Sequence, residues 1–139
     1  MNLKKTVCIL TAGVGSRIAS YSTYLNKSLL PIKKKAAISH IVDQFPKNTE
    51  FVIAIGHLGK QVKDFIKITY PEGNFKFVKV KEYKGKNTGP GLSLYYCKKL
   101  LQKPFYFVSC DTIWTKKINH SEKNWMGTNF TSIKKLYLN

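Results

Sequence analysis

Short apolar runs alternate along this chain with stretches whose apolar residues recur at helical spacing, and this alternation constrains the fold more than any other feature. The first run, within residues 5–11, reads "TVCIL" and stops at a pair of glycines. Residues 28–32 form a short extended piece ended by Pro31 and a run of lysines. A helix is predicted over 36–45, where Ile38, Ile41, Val42 and Phe45 fall on one face before Pro46. "EFVIAIG", 50–56, reads as a buried parallel strand. Residues 58–70 set Leu58, Val62, Phe65, Ile66 and Thr69 on one helical face, and 75–80 alternate as a strand. Pro90 opens a helix through 101, at the place a first-turn proline favours, and 105–109 is another apolar strand. The order β, α, β, α, β, α, β predicts an α/β fold with a mainly parallel sheet, helices on its faces and ligands outside the carboxyl ends of the strands. With 139 residues, 43% of them hydrophobic, one core and one domain are expected.

The glycines after the first run raise a chemical question. "LTAGVGSR", residues 10–17, lets backbone without side chains approach a ligand at Gly13 and Gly15, and a phosphate is the obvious candidate. Neither familiar phosphate loop fits. A Walker loop needs Gly-x-x-x-x-Gly-Lys-Ser/Thr, and a dinucleotide fingerprint needs a third glycine where Ile18 stands. The spacing is Gly-x-Gly-x-Arg. Of 24 basic residues all are lysine except Arg17, so the chain places its single guanidinium in this loop. A planar fork binds phosphate oxygens bidentately, which an ammonium does not.

The net charge of +17 has two readings: solvated lysines in a lysine-biased chain, or an electrostatic surface for polyanions. The lysines are spread over every predicted element without the aromatic-basic pattern of an RNA-binding module, so no specific nucleic-acid partner is expected. Lys4 and Lys5 lead directly into the first strand, leaving no apolar stretch for a leader or a membrane helix, and a cytoplasmic protein without a membrane partner is expected. Cys8, Cys97 and Cys110 lack metal-type spacing and read as small core residues. Asp111, in "SCDTIW", follows the strand at 105–109. It reads either as a ligand for Mg²⁺, which takes one or two carboxylates plus phosphate oxygens, or as a turn aspartate.

"LTAGVGSR", "NKSLLPI", "GHLGKQV", "GPGLSL" and "FVSCDTI", taken in order across residues 6–113, resemble the GT-A-like nucleotidyltransferases. That family includes the sugar-1-phosphate nucleotidylyltransferases and the phosphocholine-type cytidylyltransferases. Thr11 departs from its usual alanine, and Ser28 from the proline common after the lysine; Lys-Ser-Leu-Leu looks like the cytidylyltransferase branch and tilts the nucleotide toward CTP over UTP, dTTP or GTP. The resemblance implies a three-layer Rossmann-like domain over 1–139, incomplete at its carboxyl end, since the family's later half builds the acceptor pocket and supplies a second metal-binding aspartate. It implies transfer of a nucleotidyl group to a sugar-1-phosphate or phosphocholine-like acceptor with release of pyrophosphate, chemistry of cell-surface polysaccharide biosynthesis. Arg17 and Lys27 would be catalytic. Leu10, Thr11, Ala12, Gly13, Gly15 and Ser16 would cradle the triphosphate, Gly89, Gly91 and Ser93 would line the nucleoside pocket, and Asp111 would hold Mg²⁺ as cofactor. An ordinary tight turn feeding a helix is the other reading of residues 87–94. His40, His57 and His120 receive no role. Two other functions remain open: a nucleotide-binding remnant without turnover, and a basic nucleic-acid-binding module.

Overall fold

A computed structural model describes residues 5–16, 19–115 and 123–127 of the chain. Its centre is β1 (Thr6–Leu10), buried along its whole length because strands flank it on both sides. β4 (Glu50–Ile55) pairs with one side of β1 in parallel, and β6 (Phe105–Ser109) pairs with the other. β5 (Asn74–Lys79) lies outside β4, giving the order β5-β4-β1-β6 with every pairing parallel. After a short helix, α1 (Ala19–Ser22), β2 (Pro31–Ile32) and β3 (Lys35–Ala36) make a separate small antiparallel hairpin.

Side chains of a strand alternate between faces, and the sheet's two cores follow that period. Val7, Ile9, Phe51 and Ile53 point to one face, where α2 (Ala37–Val42) adds Ile38 and Ile41 and α3 (Gly59–Thr69) adds Val62 and Ile66. Cys8, Leu10, Val52 and Ala54 point to the other, where α4 (Pro90–Cys97) adds Cys97. The result is the expected three-layer α/β architecture with helices on both faces. Phe105 and Phe107 are 37% and 48% exposed, so β6 is less well covered than the strands beside it. All three cysteines are buried, as expected. Among the described residues no helix is long and apolar enough to cross a membrane.

Several boundaries differ from the sequence expectation. The piece at 28–32 is not extended throughout: Lys27–Leu29 is a 3-10 turn, because Asn26 turns its side chain back to accept the Ser28 amide. The helix expected over 36–45 covers only Ala37–Val42, and the chain continues through tighter turns, Gln44 N–H to Ile41 and Phe45 N–H to Val42. The helix beginning at Pro90 ends at Cys97 and runs into a 3-10 turn, Lys98–Leu100. Thr69, expected on the apolar face of α3, is exposed at the last residue of that helix.

The chain steps outward from β1 to β4 to β5, then returns across the sheet to β6 on the far side of β1. Where strand order reverses, loops diverge and leave a crevice outside the carboxyl ends of the strands. Here that crevice lies between the ends of β1 and β6, whose last residues, Leu10 and Ser109, are in register.

Ile66 and Ile68 test the layering from within one helix, since the first is fully buried and the second 81% exposed. Ile66→Ala is expected to cost about 2–5 kcal/mol in urea denaturation, and Ile68→Ala to stay within about 0.5 kcal/mol of the parent.

Candidate functional site

The loop leaving β1 begins inside the core and ends in solvent. Thr11 is buried, and both its amide and its hydroxyl donate to the Ala54 carbonyl, at 2.9 and 2.8 Å. A hydroxyl is thus accommodated where the resembling family has alanine. The Ala12 carbonyl accepts the His57 amide at 2.9 Å, which locks the loop to the turn after β4. Gly56 permits that approach, since a Cβ there would stand 2.8 Å from the Ala12 carbonyl oxygen. Beyond this point the loop emerges: Gly13 and Ser16 are exposed, and Gly15 has φ 66°, a left-handed conformation that favours glycine. Leu10 and Ala12 bury their side chains, which leaves only their backbone to serve the nucleotide-binding role expected of them. Arg17 lies outside the described residues.

Two charged residues from opposite ends of the chain meet at this crevice. The Lys27 ammonium pairs with the Asp111 carboxylate across 84 residues of sequence. The second Asp111 oxygen accepts the Ser109 hydroxyl at 2.6 Å. Their side chains are 30% and 44% exposed, so the pair lines a surface rather than a sealed core. Lys27, with Ser109 adding to it, holds the Asp111 carboxyl below the ordinary carboxylate range. The neighbouring Cys110 is the opposite case: burial pushes its thiol up to about 11, with the Asp111 charge contributing, so it stays protonated at neutral pH.

Behind Lys27 sits a polar cluster that the sequence reading did not single out. Asn26 is fully buried. Its amide nitrogen donates to the carbonyls of Thr11 (3.0 Å) and His57 (2.6 Å), and its oxygen accepts the amide and hydroxyl of Ser28. Gln61, on α3, accepts the Asn26 backbone amide at 3.0 Å and donates to the Tyr24 carbonyl at 2.8 Å. His57, given no role from sequence, donates from Nε2 to the Ser22 carbonyl at 2.6 Å. Tyr83 packs beside Gly56, with its ring centroid 6.3 Å from that of His57. The local pattern Asn-x-Ser was a legible turn signal, but its distant partners were not.

The segment around Gly89 is placed differently. Asn87 has φ 66°, and Gly89 and Gly91 are exposed with open space where a Cβ would stand. Gly91 lines a shallow cavity of about 290 Å³ with Leu94, Tyr95, Lys98 and Phe105. Ser93 is buried on the face of α4 that also carries Cys97. The structure therefore joins the β1 loop to Lys27 through Asn26, and Lys27 to Asp111 by their ion pair, while residues 89–93 sit at the start of α4, which packs on β1, β4 and β5.

Among the described residues no three of His, Cys, Asp and Glu converge on one point, so there is no all-protein cation cage. The donor offered is one half-exposed, ionised carboxylate, and that fits Mg²⁺, which completes its shell from substrate phosphates and water.

A depressed carboxyl pKa stabilises the fold above the unfolded carboxyl value, and this contribution is lost as pH falls through the folded value. Thermal denaturation from about pH 7 to about pH 2 is therefore expected to show wild type more stable than Asp111→Asn at neutrality, with the gap closing in acid. The gap is small, because a half-exposed pair is screened by solvent. A pH-independent gap would contradict the pairing.

No family model and no curated protein sequence matches the chain. Solved structures do. UDP-glucose pyrophosphorylase in complex with UDP-glucose matches with a TM-score of 0.66 at 22% identity, over 78% of this chain and 46% of that one. The CTP:phosphocholine cytidylyltransferase of Streptococcus pneumoniae matches with a TM-score of 0.66 at 22% identity, over 84% of this chain and 49% of that one. A candidate glucose-1-phosphate thymidylyltransferase of Bacillus anthracis matches at 0.63 and 21%, over 82% and 46%. The chain spans just under half the length of these neighbours. Its parallel sheet and covering helices are the fold that these nucleotidyltransferases share.

Proposed function

We propose that this chain forms the triphosphate side of a nucleotidyltransferase site, which takes a nucleoside triphosphate, CTP by preference, and a small phosphorylated acceptor such as a sugar-1-phosphate or phosphocholine-like compound. The observation that carries the reading is the meeting of Lys27 and Asp111 beside the glycine loop, at the reversal of strand order. Charge of both signs held at such a crevice suits a substrate that carries phosphates and a divalent cation. The resemblance to neighbours at 21–22% identity supports the fold on which this reading stands.

In the proposed reaction an acceptor phosphate oxygen attacks the α-phosphorus in line. A new P–O bond forms, the bond to the β-phosphate oxygen breaks, and pyrophosphate leaves with that electron pair. No strong base is needed, because the acceptor phosphate is already ionised. Backbone amides over residues 12–16 cradle the phosphates, and the Arg17 fork binds oxygens on the leaving side. Lys27 moves its ammonium from Asp111 to the α-phosphate and acceptor oxygens, where negative charge gathers. Asp111 would hold Mg²⁺, which would supply charge neutralisation for the triphosphate. Gly89, Gly91 and Ser93 serve the nucleoside from the start of α4. For residues 1–139, which span under half the length of these neighbours, a second reading is nucleotide binding without transfer.

The two readings separate by assay of pyrophosphate release from CTP, UTP, GTP, ATP and dTTP against phosphocholine and sugar-1-phosphate acceptors. Acceptor-dependent release supports transfer, whereas nucleotide binding without release supports the second reading. Response to heparin and CTP alike, with no preference for nucleotide, would contradict both.

Arg17→Lys keeps the charge and loses the fork, so CTP affinity in Mg²⁺ is expected to fall about tenfold with little change in melting temperature. Asp111→Asn is expected to act with opposite signs. Mg²⁺-dependent binding of CTP weakens, while metal-free binding strengthens a few-fold because Lys27 is released from its carboxylate. Unchanged Mg²⁺ dependence in isothermal titration would overturn the metal role.

A further inference from the structure

Asn26 spends more hydrogen bonds than its local turn requires. Capping the 3-10 turn Lys27–Leu29 needs only the side-chain oxygen, which accepts the Ser28 amide. The two amide hydrogens go elsewhere, one to the Thr11 carbonyl in the glycine loop and one to the His57 carbonyl in the turn after β4. A carboxamide carries two N–H donors and an oxygen with two lone pairs, and here all four are engaged with the side chain fully buried. Aspartate would keep the cap and lose both donors, and serine would not span the distance.

Lys27 is the residue held by this arrangement. Both its neighbours are pinned: Asn26 by its side chain and by Gln61 on its backbone amide, Ser28 by its amide and hydroxyl. The turn is closed by Leu29 N–H to the Asn26 carbonyl and Leu30 N–H to the Lys27 carbonyl. The ammonium stands at the end of a flexible four-carbon stem, so its reach is set by where the Lys27 backbone is fixed.

We propose that Asn26 is the positioning residue of the triphosphate site: its carboxamide fixes the Lys27 backbone against the glycine loop and the His57 turn, so that loop and ammonium present one rigid surface to the phosphates. This rests on the nucleotide-binding reading of Lys27. Gln61 extends the same role to α3, since its side chain bridges the Asn26 amide and the Tyr24 carbonyl.

A double-mutant cycle tests it. Dissociation constants for CTP in Mg²⁺ are measured by isothermal titration for wild type, Asn26→Ala, Asn26→Asp, Lys27→Ala and the combinations. Each Asn26 variant is expected to weaken binding about tenfold in the parent and to have no further effect once Lys27 is alanine. A folded Asn26→Ala with parental affinity, or losses that add in the double variant, would overturn the proposal. Should the Asn26 variants fail to fold, Gln61→Ala removes only the acceptor for the Asn26 backbone amide and the donor to Tyr24. It is expected to weaken binding about threefold in the parent and not in Lys27→Ala, and equal losses in both backgrounds would overturn the role. A folded wild type that binds no triphosphate would instead defeat the functional reading of Lys27, and with it this one.

Discussion

The site depends on one buried carboxamide. Three stretches of chain meet outside the strand ends: the loop after β1, the turn after β4 and the turn bearing Lys27. Asn26 hydrogen-bonds all three. An unpaired buried amide costs about 1–3 kcal/mol, so the stretches are favoured together and penalised apart. Gly56 and Thr11 serve the same junction, one by allowing backbone to meet backbone and the other by satisfying a hydroxyl on the Ala54 carbonyl.

Charge is organised around that junction in a way net composition conceals. Lys35 with Asp43, Lys76 with Glu50 and, within α3, Lys60 with Asp64 are surface pairs of ordinary kind, each contributing little energy. Lys27 with Asp111 differs in position, because it links the turn before β2 to the loop after β6, at the strand-order reversal. A net charge of +17 draws any polyanion toward the molecule, and that attraction falls with salt. At the junction the β1 loop, an ammonium and a carboxylate lie together.

The periodicities of the sequence made the sheet legible. Runs rich in buried β-branched residues marked β1 and β4, a short apolar run marked β6, alternation marked β5, and helical spacing marked α2 and α3, because burial on a given face imposes these periods directly. Asp111 was legible for the same reason: a strand end places its next residues at the ligand crevice. The placement of the Lys27 turn against the β1 loop and the turn after β4 was not, because it follows from Asn26 bonding to residues 15 and 31 positions away. His57 looked idle because its partner, the Ser22 carbonyl, is 35 residues distant. Tertiary hydrogen bonds leave no period in a sequence, so the polar scaffold behind the site was the part that only coordinates could supply.

Under the proposed function the β1 loop, Lys27 and Asp111 make one triphosphate surface. A titration of ¹⁵N-labelled protein with CTP and Mg²⁺, followed by amide chemical shifts and compared with a titration of heparin, tests this. Shifts concentrated at residues 11–16, 26–29, 56–58 and 109–112 are expected with CTP, and a broader pattern over the lysine-bearing surface with heparin. Identical broad patterns for both, with no concentration at the strand ends, would contradict it.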